Sequence, residues 1–249
     1  MQGIKEVIER LKTIVSESEH EKDPLGFFAV LYLQVTERVW LGIQNEEFED
    51  NARMERLDVI FAERYLEAYQ AHRAKQALTQ SWQAAFKAAD DPRTLILQHL
   101  LLGINAHINL DLGIAAAQTV GQHELQSLQA DFDLLNKILA EMVEGVQDKL
   151  SKASPLMRVI DWLGGSHDEY LASFSINLAR DGAWAFAQEW HKANSDQRLV
   201  LLNERDQRIA EIGNFIARPR AWWLRLLLRP IRWFENKNAT AVIQLMRAS

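Results

Sequence analysis

The chain of 249 residues has no cysteine. That excludes a disulfide framework, a thiolate zinc site and an iron–sulfur cluster, so any metal would have to be held by His, Asp, Glu or water. It also fits a reducing compartment, and the expected location is cytoplasmic. Strand signals are scarce, because no stretch of β-branched residues alternates over more than a few positions. No uncharged apolar run reaches the ~18 residues that point to a membrane span. The nearest, Leu95–Leu110, is interrupted by His99, His107 and two Asn, and a buried core helix is the better reading. The opening MQGIKEVIERLKTIV carries charge every two or three positions, unlike a secretory signal. A Gly-rich phosphate loop, a G-x-S-x-G elbow and an H-E-x-x-H motif are all missing. No E-x-x-H pair falls in a central helix, so P-loop, serine-hydrolase, zincin and ferritin-type chemistries are not expected.

What remains is a hydrophobic and helical chain. Hydrophobic residues make up 48%, enough for a sizeable core rather than a disordered body. Asp23-Pro24, Asp91-Pro92 and Ser154-Pro155 each set an N-capping residue before proline. Proline in the first helical turn loses no hydrogen bond and presets φ, so each pair is expected to open a helix. Periodicity at i, i+3, i+4 predicts helices over 2–18, 24–43, 53–71, 76–88, 92–120, 122–150, 155–163, 168–193 and 195–216, with two short pieces around Pro219 and Pro230. The expectation is an all-α fold, a single multi-helix domain wrapped around a central buried helix at about 92–120. Gly164-Gly165-Ser166 is too short to be a linker. Residues 1–217 form the core, and a basic Trp/Arg-rich segment, 218–249, packs on it.

Charge is unevenly placed. The chain is −6 at pH 7, whereas from Phe215 onward six Arg and one Lys face the single Glu235. The tail is thus +6 and the remainder −12. An acidic body argues against nucleic-acid binding. The tail residues Arg218, Arg220, Trp222, Trp223, Arg225, Arg229, Arg232 and Trp233 admit two readings. One is peripheral docking on an anionic membrane. The other has Trp and Leu closing the core while the arginines pair with the acidic body.

The most informative segment is LILQHLLLGINAHINLDLGIAAA, Leu95–Ala117. A buried polar group without a partner costs roughly 1–3 kcal/mol, so Gln98, His99, Asn105, His107, Asn109 and Asp111 must be satisfied by something. His107 and Asp111, one turn apart, point the same way and can share a metal ion, or Asp111 can orient the imidazole. His99 lies two turns earlier, with Gly103 between them leaving room for a partner helix or ligand. Gln98, Asn105 and Asn109 form a second polar line on the other side. The plainer reading is a buried hydrogen-bond network that fixes helix register. In Phe48–Tyr69, Asp58 falls among apolar residues and could be a further metal ligand, with Arg53 and Arg64 available for an anionic group. The plainer reading there is a solvated surface helix with Asp58 paired to a neighbouring Arg. Arg180 and Asp181 sit in a mostly apolar stretch and could line a cavity or form a buried pair.

The run Asn105-Ala106-His107-Ile108-Asn109-Leu110-Asp111-Leu112 resembles the N-A-H-x-N-x-D-L signature of a bacterial helical family catalogued as a domain of unknown function. Tyr32 and Thr36, Arg53 with Leu57-Asp58, Phe61-Ala62 with Tyr65, and Arg180 with Ala183-Trp184 are similar to it as well. The resemblance runs from about Phe27 to Leu245. It implies an all-helical fold and a polar centre around His107, Asp111 and Asp58, and it brings no activity with it. The leading expectation is an enzyme with a buried polar pocket, a metal-assisted hydrolase or lyase acting on a small molecule. In it His107 and Asp111 serve as ligands or base and orienter, and Asp58 and His99 complete the shell of a divalent ion. Asn105 and Asn109 contact substrate, and Arg53, Arg64 or Arg180 binds a negative group. The alternative is a non-catalytic helical binding module, or a peripheral membrane-associated one, whose polar core is structural.

Overall fold

The computed structural model describes residues 3–153, 176–219, 230–233, 235–236 and 238–248, with the side chains of 143–144, 146–153, 176–178 and Arg180 outside that description. The expected helix 155–163, the Gly164–Ser166 turn and the tail at 220–229 lie outside the described residues. Those described are helical, with no strand among them. The α-helices are α1 (Ile4–Glu21), α2 (Gly26–Gln44), α3 (Asn51–Arg73), α4 (Gln80–Lys87), α5 (Ile96–Ala106), α6 (Gly113–Val120), α7 (Gln129–Ala153), α8 (Ile176–Lys192), α9 (Ser195–Ala217) and α10 (Ala239–Arg247). α5 and α6 are joined by the π-helical segment His107–Leu112 into one rod, Ile96–Val120.

That rod is the centre of an all-α domain. It is long and apolar enough to cross a membrane by length and composition, yet 94% of its most apolar window is buried inside the protein. α2, α4 and α9 pack on α5, α3 and α8 pack on α6, and α1 lies on α2 and α3. Gly103 permits the α2 approach. A Cβ there would sit 2.4 Å from the Phe28 ring, so the residue makes room for a partner helix. The C-terminal α10 covers α1 and α2. Gln34 Nε2 donates to Met246 O (2.8 Å) and Thr240 Oγ1 to Glu19 O (2.7 Å).

The proline rule misplaces the start of the rod. Asp91-Pro92 opens a turn rather than a helix. Asp91 accepts from Arg93 N–H, and its carbonyl accepts from Thr94 N–H. Leu95 is extended (ψ 155°), and the helix begins at Ile96. Three buried carboxylates from distant segments occupy helix starts where free N–H groups need acceptors. Glu235 accepts from Ile96 N–H (3.0 Å), and Asp131 accepts from Glu49 N–H (2.7 Å) and from the Arg53 guanidinium (2.6 Å). Asp206 of α9 accepts from Gln80 N–H (2.6 Å) and Ser81 N–H (2.9 Å) at the head of α4. Replacing Asp206 by alanine removes both acceptors. It is expected to cost about 1–2 kcal/mol in urea unfolding, in the range for loss of a helix cap.

The arginines of the C-terminal part that are described pair with the body. Arg232 binds Glu235 (2.8 Å) and Pro92 O (2.8 Å), Arg247 binds Glu19 (3.3 Å), and Arg218 approaches Asp91 (3.7 Å). Trp233, by contrast, is 81% exposed.

Candidate functional site

The polar residues of the rod are satisfied on two sides. One line faces α9. Gln98 Nε2 donates to Ile216 O (2.7 Å), and Asn105 Nδ2 donates to Ile209 O (2.9 Å). Asn109 Nδ2 donates to Asn105 Oδ1 (3.1 Å), while Arg205 Nε donates to Asn109 O (3.0 Å). Asn105 and Asn109, expected to meet substrate, instead join the rod to α9.

The other line is the candidate site. Asp111 is 1% exposed and accepts three hydrogen bonds: from Arg64 Nε at 2.7 Å, from Trp82 Nε1 at 2.9 Å and from His107 Nδ1 at 3.1 Å. Burial alone would push its carboxyl pKa up, but Arg64 and His107 together hold it below the ordinary value. An ionised carboxylate only accepts, so His107 must donate from Nδ1. Burial, aided by Arg64, lowers the His107 pKa against the pull of Asp111. The imidazole is therefore neutral at pH 7, protonated on Nδ1, with a free lone pair on Nε2. That Nε2 atom is buried and has no hydrogen-bond partner.

Rings supply the rest of the surroundings. Phe61 stacks on the imidazole at 3.7 Å with planes 6° apart, and Tyr32 meets it edge-on at 4.5 Å. Phe28, Trp82 and Tyr65 stand about 6 Å away. Helical spacing explains their convergence. Phe28, Tyr32 and Thr36 repeat every fourth residue along α2, and Asp58, Phe61 and Tyr65 share one face of α3. α4 contributes Trp82 because Asp206 pins its first turn. The π-helical segment begins at His107 itself, and such inserted turns are frequent at functional sites.

Asp58 corrects the solvated-helix reading. It is 1% exposed, Oδ2 has no hydrogen-bond partner, and no ion pair is made by it among the described residues. Burial, with a smaller contribution from Glu55, raises its pKa to about 8, so it keeps its proton at neutral pH. The Tyr32 hydroxyl is likewise buried and makes no hydrogen bond of normal geometry, although the Thr36 side chain lies close enough to oppose the rise of its pKa. Its pKa is driven well above the ordinary value by burial and then by the nearby Asp58 and Asp111 carboxyls.

The remaining expected residues fall elsewhere. His99 lines a separate recess, and its pKa is lowered to about 4 by burial and then by Arg232. Among the described residues no three His, Asp or Glu side chains gather as a metal-binding group, so Asp58, His99, His107 and Asp111 do not form the expected ligand shell. Arg53 is paired with Asp131 and Arg64 with Asp111. Asp181 is exposed rather than part of a buried pair, and the side chain of Arg180 lies outside the described residues. Sequence reading does not single out Trp82 and names Tyr32 only through the family resemblance, because aromatic residues at helical spacing look like core until a neighbouring polar group is located.

Comparison with curated proteins and with solved structures finds no match. A model of a family of unknown function, DUF5995, matches residues 4–219. The helical body that carries His107, Asp111, Arg64, Trp82, Tyr32 and Asp58 thus falls within the matched residues, and the chain belongs to the DUF5995 family.

Proposed function

We propose that the protein is an acid–base enzyme, a hydrolase or lyase that acts on a small uncharged molecule, with His107 as the base and Asp111 as its orienting partner. One observation carries this reading: Nε2 of His107 is a buried lone pair without a partner, while Nδ1 is held by a carboxylate. Buried polar atoms left unpaired are rare enough to call for a reason. In the reaction Nε2 takes a proton from water or from a substrate C–H. Asp111 stabilises the resulting imidazolium, and the same proton then passes to the leaving group. Tyr32 and neutral Asp58 retain O–H groups that can donate to developing charge, as a phenol beside a neutral carboxylic acid does in known sites. A charged substrate is not favoured, because Arg53 and Arg64 already face carboxylates. A divalent ion stays outside the proposal, since the expected ligands do not gather among the described residues.

A second reading, a non-catalytic helical binding module, rests on a different observation. Asp111, Gln98, Asn105 and Asn109 all have interior partners, as a purely structural network would. His107→Asn separates the two. The asparagine amide can replace the Nδ1 donor to Asp111 but carries nothing in place of Nε2. Wild type and variant are assayed on uncharged esters, amides, lactones and β-hydroxy carbonyl compounds, with folding checked by circular dichroism. The expected result is a folded variant whose turnover falls about 10²–10⁴-fold. Wild-type turnover in the variant, or an inert wild type across the panel, supports the structural reading instead.

A further inference from the structure

The buried centre makes no use of the basic end of the chain. Arg218 follows α9 and approaches Asp91 (3.7 Å), and Arg232 donates to Pro92 O (2.8 Å). Both flanks of residues 220–229 are therefore tied to one corner of the molecule, Asp91-Pro92, between α4 and α5. Arg93 pairs with Asp91 as well (2.9 Å), so two cations share one carboxylate there. The side chains of Arg93 and Arg218 are 81% and 76% exposed, and Trp233 is 81% exposed. Arg232 differs from them, being held by Glu235 and Pro92.

The sequence attached at this corner has the same chemistry. The ten residues 220–229 comprise three Arg, two Trp, four Leu and one Ala, with no acidic residue. An exposed indole beside guanidinium groups suits the boundary between lipid headgroups and acyl chains, where the ring meets an apolar phase and its N–H stays wet. Arginine matches phosphate bidentately. Stable attachment to a membrane surface takes two signals, such as an apolar anchor and a basic patch, and this corner carries both. Charge sets the orientation. From Phe215 onward the chain is +6, which leaves −12 on the rest, so an anionic surface attracts this end and repels the body. Nucleic acid is a poorer match, because leucine finds no partner along a phosphate backbone.

We infer that the corner bearing Arg93, Arg218 and Trp233 docks on an anionic phospholipid surface, with Trp233 among the headgroups and the two arginines on lipid phosphates. The docking involves none of the residues around His107, which are buried, and it is independent of the acid–base reading.

Co-sedimentation of the full chain with vesicles is the test, using phosphatidylcholine alone and phosphatidylcholine mixed about three to one with phosphatidylglycerol. The expected result is binding to the mixed vesicles only, weakened about fivefold or more when salt rises from about 0.1 M to about 0.5 M. Trp233→Ser should weaken binding about tenfold, through loss of the apolar anchor. Arg218→Gln should weaken it about fivefold, the share of one basic residue near an anionic surface. Both positions are exposed, so the fold is kept, as circular dichroism checks, and should one variant fail to fold the other decides. Leu199→Ser is the control. Leu199 is 62% exposed but sits at the other end of α9, roughly 28 Å from Arg218 at 1.5 Å per residue, and its replacement should leave binding unchanged. No sedimentation with the mixed vesicles, equal binding to phosphatidylcholine alone, or binding that Trp233→Ser and Arg218→Gln leave intact overturns the inference. So does an equal loss with Leu199→Ser, or tighter binding to a DNA duplex than to the mixed vesicles.

Discussion

Asp58→Asn is expected to raise stability above pH 5 and to flatten its dependence on pH. The Asp58 carboxyl is raised from 3.8 to about 8 in the fold, chiefly by burial. A group whose pKa is raised on folding contributes fully below its unfolded value, and that contribution is lost as pH rises towards the folded value. Between about pH 4 and pH 8 the unfolded chain has released this proton and the folded chain has not, so folding becomes steadily less favourable. At about 1.36 kcal/mol per pH unit, the loss across the window is on the order of 5 kcal/mol, and above pH 8 it grows no further. Asparagine has nearly the same shape, carries no proton to lose and escapes the penalty. Urea unfolding at pH 4 and pH 8 measures the effect. Wild type should fall between the two pH values by several kcal/mol more than the variant, with the curves close together at pH 4. Parallel curves would mean that Asp58 ionises freely in the folded protein.

Asp111→Ala should be among the most damaging single changes in the rod. It deletes the common acceptor of Arg64, Trp82 and His107. Arg64, with 23% of its side chain exposed, can turn towards water. The Trp82 indole N–H and the His107 Nδ1–H cannot, because both residues are 2% exposed. Removing one partner from a buried charged pair costs about 3–5 kcal/mol, and the cavity left by the carboxylate adds to that. The expected outcome in denaturant unfolding is a loss of this size with an unchanged slope. A loss below about 1 kcal/mol, the scale of an exposed ion pair, would show that the carboxylate does not organise the centre.

The legible and illegible parts of this protein divide along sequence distance. Polar residues in an otherwise apolar helix identify the rod as buried, and His107 with Asp111, one turn apart, can be paired from spacing alone. The two polar lines on the rod are also readable, and both find interior partners. What completes each line comes from far along the chain. Arg64 and Trp82 reach Asp111 from 47 and 29 residues away, and Asn105 meets Ile209 across 104. Local pattern has no access to such partners. Arg64 therefore looks free to bind an anion when it is already neutralised, and Asn109 looks available to substrate when it is bonded to Asn105. The helix start at Ile96 is hidden for the same reason, because its cap is Glu235, 139 residues away. The π-helical segment leaves no mark either, since His107–Leu112 keeps the apolar composition of a regular α-helix. Asp58 reads from the sequence as a carboxylate near an apolar face, but its complete burial, which keeps its proton on at neutral pH, does not.

The most direct test of the account is the protonation state of His107, read from the imidazole ¹⁵N shifts of the folded protein at pH 7 and assigned with His107→Asn. A neutral ring with its proton on Nδ1 and a bare Nε2, persisting below the ordinary titration range of histidine, is the predicted result. An imidazolium at pH 7, or a proton on Nε2, would contradict it.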